Sequence, residues 1–281
     1  MSAIERLTLR GTDVDLAADA TGPLDGQPLL FLHGSGQTRQ SWGKALIEAA
    51  QHGFRATAMD LRGHGDSSWS PDGRYDLNVF ADDLRAVLTQ MDRPPVVVGA
   101  SLGGIVAMIV AAADPAAIRA LVLVDITATV DMEGANEVIA FMSAGADGFE
   151  SVEAAADAVS AYLPHRDKPR SSKGLAKNLR QRGERWYWHW DPAFMTMGGD
   201  VKRQSEGPTV LETAARGLTI PTLLIRGGRS RIVTEEGARA FMEMVPHADY
   251  AHIEGAHHMV AGDANDAFND AVFAFVDRQA G

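Results

Sequence analysis

The chain has 281 residues, 46% of them hydrophobic and 22% charged, with no cysteine and a formal net charge of -11. This is an ordinary globular composition with room for one large α/β domain and an insertion; it excludes disulfide and thiolate chemistry and argues against non-specific nucleic-acid binding. No apolar run approaches the roughly 20 residues needed to span a bilayer, and "MSAIERLTLRGTDVDLAAD" lacks the order of a secretory signal, so the expectation is a cytoplasmic protein without membrane association.

In chain order, Ile4–Arg10 and Asp13–Ala20 read as two strands of a hairpin around Gly11, and Pro28–Gly34 as a strand ending in a glycine-rich loop. Ser41–Ala50 reads as a helix, Phe54–Asp60 as a strand followed by the loop "LRGHGDSS", and Asp76–Met91 as a helix with Leu77, Phe80, Leu84, Val87, Leu88 and Met91 on one side. Val96–Val98 is a buried strand that gives way to a helix, and Ala120–Ile126 is another strand. From about Val130 to Arg216 no strand-like run appears: Glu150–Tyr162 is helical, Arg166–Arg185 is basic, and "RWYWHWDPAF" is an aromatic cluster. Alternation resumes with a strand at Ile220–Gly228, a helix at Glu235–Val245, a strand at Ala248–Glu254 and a helix at Ala264–Arg278. The alternation predicts a mostly parallel sheet of about eight strands with helices on both faces. Residues 1–129 and 217–281 form its core, and 130–216 form an inserted helical cap. The polar and glycine-rich loops all follow strand ends, so they share the edge where such sheets bind ligands.

One junction carries chemistry. In "PVVVGASLGGIVAM" Gly99, Ser101 and Gly103 fit G-x-S-x-G between a strand and a helix, a strained turn that presents a serine nucleophile. A serine hydroxyl needs an adjacent base, and His258 in "HIEGAHHMV" lies in a late loop after a strand, with His257 turned outward. An oxyanion needs two fixed N–H donors; Leu102, directly after the serine, and Ser35 in "HGSGQ" supply them. No G-K-[ST] or G-x-G-x-x-G follows "HGSG", so a phosphate loop is disfavoured, and neither a metal-ligand cluster nor a cofactor is implied.

"FLHGSGQTRQSW", "MDLRGHGDSS", "VVVGASLGG" and "IEGAHHM", in this order, resemble the α/β-hydrolase superfamily over nearly the whole chain except the cap. The resemblance implies a capped hydrolase acting on a small molecule. Epoxide hydrolases and haloalkane dehalogenases of similar pattern carry an aspartate at the nucleophile; the serine here suits acyl transfer instead. Many members place the triad acid in the loop after the seventh strand. Here Ser230 occupies that place beside Arg231, and Asp125 in "LVLVDIT" is the best substitute, against a loop-capping role for Asp125 or a dyad without an acid. Asp60 reads as a loop cap, His64 as a turn stabiliser and His33 as loop packing. Trp42, Trp186, Trp188, Trp190 and Met259 either wall an acyl pocket or pack the cap. The basic run Arg166, Lys168, Arg170, Lys173, Lys177, Arg180, Arg182 and Arg185 reads as a solvated helix face. The expected reaction is hydrolysis of a carboxylic ester or lactone through an acyl-enzyme. A C–C bond hydrolase of a dicarbonyl ring-cleavage product and a non-catalytic receptor on the same fold are the alternatives. Oligomeric state is left open.

Overall fold

The computed structural model describes residues 3–164, 174–199, 209–263 and 265–279. Strands β1 (Glu5–Arg10) and β2 (Asp15–Thr21) pair antiparallel, Leu9 opposite Leu16, as the reading around Gly11 predicts. Further along lie β3 (Pro28–Leu32), α1 (Gly43–Gln51), β4 (Arg55–Met59), α2 (Leu77–Leu88), β5 (Val96–Ala100), α3 (Leu102–Ala113) and β6 (Ala120–Val124). Asp76 caps α2, its carboxylate accepting from the N–H groups of Asn78 (3.1 Å) and Val79 (3.3 Å).

The segment between β6 and the next core strand contains α4 (Met132–Ser143), α5 (Val152–Tyr162), a hairpin of β7 (Leu179–Arg182) and β8 (Arg185–Trp188), and α6 (Val210–Gly217). The chain closes with β9 (Thr222–Gly227), α7 (Glu235–Met244), β10 (Asp249–Ile253), a single turn α8 (Val260–Asp263) and α9 (Asn265–Gln279). α9 is the helix expected over Ala264–Arg278, and the turn α8 before it is an addition the sequence did not indicate; Ala264 itself lies outside the described residues.

Eight strands form one sheet in the order β1-β2-β4-β3-β5-β6-β9-β10. Every neighbouring pair from β4 to β10 is parallel, and β2 runs against both of its neighbours. The central strands are buried on both faces, which is why β5 and β6 read as continuous apolar runs. Val97 joins the layer of α2, α3 and α7, with Phe80, Val106 and Phe241; Val96 and Val98 join that of α1 and α9, with Leu46, Phe268 and Val272. Strand order reverses between β3 and β5. The loops after these two strands therefore part in opposite directions and leave a crevice at the carboxyl edge.

The hairpin corrects the expectation that 130–216 is purely helical. Leu179 faces Trp188 and Gln181 faces Trp186, a two-residue period that the intervening arginines disguise as a charge run. One hairpin face is apolar, Leu179 and Trp188 packing with Met142 and Trp190. The other docks on the core. Arg180 donates to the Gly65 carbonyl and to Asp66 (both 2.7 Å), and the Arg182 guanidinium lies 4.7 Å over the Trp69 ring. Beyond β8, His189 Nδ1 accepts from the Gly65 N–H (2.7 Å), Asp191 N–H donates to Gly63 O (2.8 Å), and Tyr75 donates its hydroxyl proton to Asp191 (2.6 Å). Arg185 donates to the carbonyls of Asp147 (2.8 Å) and Gly148 (2.5 Å). These arginines are therefore ties on a hairpin and not one helix face, while Lys177, Arg182 and Arg185 stay exposed as expected; Arg166, Lys168, Arg170 and Lys173 lie outside the described residues.

Candidate active site

Ser101 stands between β5 and α3 at φ 46°, ψ -116°. Such a conformation costs a non-glycine residue about 1–3 kcal/mol and persists only where its surroundings over-determine it. Here they do. A Cβ on Gly103 would lie 2.6 Å from Leu32 Cβ, and one on Gly99 2.6 Å from Gly103 O, so the turn closes only around glycines. Ser101 N–H donates to Val124 O (3.2 Å), which sets it beside the end of β6, and Ser101 O accepts from Ile105 N–H (2.9 Å) to start α3.

Asp125 is the residue after β6 and the other non-glycine residue described at positive φ, 50°. Its side chain is fully buried. Oδ2 accepts from His258 Nδ1 at 2.7 Å and from the Ser230 hydroxyl, and Oδ1 accepts from Gly227 N–H at 2.9 Å. Neighbouring strand ends thus deliver this cluster, Asp125 from β6, Gly227 and Ser230 from β9 and His258 from the loop after β10, and Ser101 follows β5 at the same edge. With Nδ1 engaged by the carboxylate, Nε2 is the nitrogen with a lone pair to offer. The His258 side chain is 21% exposed. His257 is half-buried, its N–H bonded to Asp263 (2.9 Å). Position 230 holds no carboxylate, yet it is not idle, since its hydroxyl meets the same oxygen as His258. Arg231 turns away to Glu137 (2.6 Å) and Glu133 (3.2 Å) on α4.

Leu102 opens α3, so its N–H is one of the helix's first four without an intrahelical acceptor. Ser35 lies in a turn closed by Gln37 N–H donating to Gly34 O (3.1 Å), with Gly36 at φ +70° in the position where a type II turn needs glycine. The loop abuts the serine: a Cβ on Gly34 would stand 3.1 Å from Ser101 Cβ. Met142 covers its outer side, its Sδ 3.3 Å from where a Gly36 Cβ would be. Met142 packs with Trp188 and Trp190, which stack at 5.0 Å, so this aromatic group sits over the candidate oxyanion loop. Trp188 Nε1 donates to Ala144 O (2.9 Å), and Trp186 is half-buried on the hairpin. Trp42 is elsewhere. It packs under the sheet against Phe31 (5.2 Å) and Phe268 (5.9 Å), so it belongs to the core and not to a pocket wall. The short 3-10 turn Arg39–Trp42 rotates it inward, a local geometry that helical periodicity does not reveal. Met259 is half-buried next to His258.

The remaining polar residues hold the loops. Asp60 accepts from the N–H groups of Arg39 (2.6 Å) and Asp66 (2.9 Å) and pairs with the Arg39 guanidinium. His33 binds Gly34 O through Nδ1 (2.8 Å) and accepts from Leu61 N–H at Nε2 (3.0 Å). His64 binds Arg62 O through Nδ1 (3.0 Å). Burial pushes His33 down to about 4, despite its bond to Gly34. It pushes His64 down to about 3, with the neighbouring His33 adding to the effect. Burial likewise lowers His189, whose ring is 6.0 Å from that of His64. The unfolded chain takes up these protons below about 6.5 and the folded chain does not, so stability falls as pH drops from about 6.5 toward 4. Melting temperatures at pH 7.5 and 5.0 are expected to show this loss. The loss shrinks in His64→Gln, which keeps a donor for Arg62 O; an equal loss in both proteins contradicts the assignment.

A family model described as the alpha/beta hydrolase fold matches residues 27–264. The chain is 31% identical over 258 residues to Esterase Rv0045c of Mycobacterium tuberculosis, covering 89% of this chain and 82% of the relative. It is 27% identical to 2-(acetamidomethylene)succinate hydrolase of Mesorhizobium japonicum, over 98% of this chain and 93% of that one. The crystal structure of E-2-(acetamidomethylene)succinate hydrolase superposes with a TM-score of 0.86 at 23% identity, covering 98% of this chain and all of that one. A structure of the Rv0045c esterase gives 0.77 at 28% identity, over 99% and 92%. These relatives are hydrolases, and on the family match the chain belongs to the α/β-hydrolase family.

Proposed function

We propose that this chain is a serine hydrolase that cleaves a carboxylic ester or lactone through an acyl-enzyme. The observation that carries the reading is the 2.7 Å bond from His258 Nδ1 to buried Asp125, on the same strand-end edge as Ser101 in its strained turn. The esterase relative agrees with it.

In the proposed cycle Ser101 Oγ attacks the substrate carbonyl while His258 Nε2 takes its proton. Asp125 holds the Nδ1–H tautomer and stabilises the imidazolium that forms. The N–H groups of Leu102 and Ser35 receive the oxyanion, a contribution worth about a hundred- to a thousand-fold in turnover per donor. Collapse breaks the ester C–O bond and His258 returns the proton to the leaving alkoxide. A water activated by His258 then adds to the acyl-enzyme and releases the acid and free Ser101. The segment 130–216 acts as a cap, its Met142, Trp188 and Trp190 forming an apolar roof over the acyl side, while Met259 lies beside the base. The chemistry needs neither metal nor organic cofactor.

Initial rates on p-nitrophenyl esters of increasing chain length, simple lactones and a vinylogous 1,5-diketone test this. Ester or lactone turnover that exceeds diketone cleavage supports the reading. Preference for the diketone assigns C–C hydrolysis instead, and saturable binding without any turnover assigns a receptor.

A further inference from the structure

We infer that Ser230 is a positioning residue for the proposed reaction: its hydroxyl locks the Asp125 carboxylate that holds His258. The inference rests on the serine-hydrolase reading for its role in turnover and on geometry for the lock itself.

Asp125 is fully buried, and a buried carboxylate needs its lone pairs met by donors. Oδ1 has the Gly227 N–H, fixed at the end of β9. Oδ2 has His258 Nδ1–H and the Ser230 hydroxyl. The direction of the Ser230 proton is set by what its oxygen accepts: the N–H groups of Ile232 (3.1 Å) and Val233 (3.2 Å) both point at Oγ. With two donors on its lone-pair side, the hydroxyl has its own proton left for Asp125. The result is a chain from the backbone of the β9–α7 loop through Ser230 to Asp125 and on to the imidazole.

Three donors on two oxygens fix the carboxylate plane, and a hydrogen bond to a charged acceptor is about twice as strong as a neutral one. Neighbouring charges are otherwise engaged. Arg231 is paired with Glu133 and Glu137, Asp263 with the His257 N–H, and Arg226 Nε with Val233 O. No cation therefore stands in for the hydroxyl at Oδ2 among the described contacts. Without Ser230, Oδ2 keeps one donor, the carboxylate gains freedom to rock, and the imidazole it carries follows.

The experiment compares wild type with Ser230→Ala, Ser230→Cys and Ser230→Thr. It reads the low-field proton resonance of His258 Nδ1–H, which needs no substrate, together with kcat and KM on a p-nitrophenyl ester. Ser230→Thr keeps the hydroxyl and is expected to match wild type in both. Ser230→Ala is expected to shift or broaden the resonance and to lower kcat roughly tenfold with KM within about twofold, because orientation is lost and binding is not. Ser230→Cys, close in size with a weak S–H donor, falls between and serves if the alanine variant folds poorly. A resonance unchanged in position and width in Ser230→Ala overturns the proposal, whether activity is kept or falls with the melting temperature, since Ser230 is then only a loop cap. If the resonance responds to Ser230 but wild type turns over no ester, the lock stands and the hydrolase reading fails.

Discussion

Ser101→Ala is expected to reduce ester turnover by about a million-fold, leaving about a thousand-fold acceleration over water from the oxyanion donors and substrate binding. The substitution isolates the nucleophile because little else changes. Alanine keeps the Cβ, so the strain at φ 46° and the packing beside Gly34 persist, and the Ser101 N–H bond to Val124 is a backbone bond. Melting temperature should stay close to wild type, and substrate analogues should still bind. Steady-state rates on the best ester, with a thermal melt of the same preparation, check both halves. Turnover within tenfold of wild type in a folded Ser101→Ala protein removes serine from the mechanism.

Asp125→Asn is expected to cost about ten-thousand-fold in kcat, the scale a wrong imidazole tautomer carries in a Ser-His-Asp triad. Asparagine shares the tolerance of aspartate for the positive φ of 50° at this position, so the backbone is preserved. The amide cannot satisfy the site in either orientation. If its oxygen faces His258 and Ser230, its NH2 opposes the Gly227 N–H, a buried donor against a donor. If it flips, NH2 faces His258 Nδ1 and favours the tautomer with the proton on Nε2, where a base must have none. The site then has a choice between an unmet buried polar group, at about 1–3 kcal/mol, and the wrong tautomer. Single-turnover acylation rates measure the effect; a loss below about a hundredfold would place the orienting acid elsewhere.

What could be read from the sequence divides along the range of the interactions involved. The G-x-S-x-G turn is a local object: three small residues within five positions at a change from β-branched to helical residues identify it, and the structure puts Ser101 there at positive φ. The central strands were legible for a similar reason, since burial on both faces makes them uniformly apolar. Asp125 was legible as an acid at a strand end. Its donors were not, because Gly227 and Ser230 reach it through the pairing of β6 with β9, a hundred residues apart in the chain. Ser230 looked like a vacancy where it is a donor. The β7–β8 hairpin was hidden because arginine at Arg180, Arg182 and Arg185 resembles a solvated helix face, and only tertiary contacts from Arg180 and Arg182 to Gly65, Asp66 and Trp69 show that the hairpin docks on the core through it. Met142 had no signal in the sequence, and Trp42 does not wall a pocket. A methionine from α4 lies on the candidate oxyanion loop, while the tryptophan nearest that loop in sequence turns into the core.

Everything proposed for the site depends on Ser101 being a nucleophile activated by His258. Reaction with a fluorophosphonate, followed by mass spectrometry of the digested protein, tests it without knowledge of the substrate. The expected result is a single adduct on Ser101, absent in His258→Ala and greatly slowed in Asp125→Asn. An unmodified Ser101 in protein that still hydrolyses esters, or labelling at an equal rate when His258 is replaced, would contradict it.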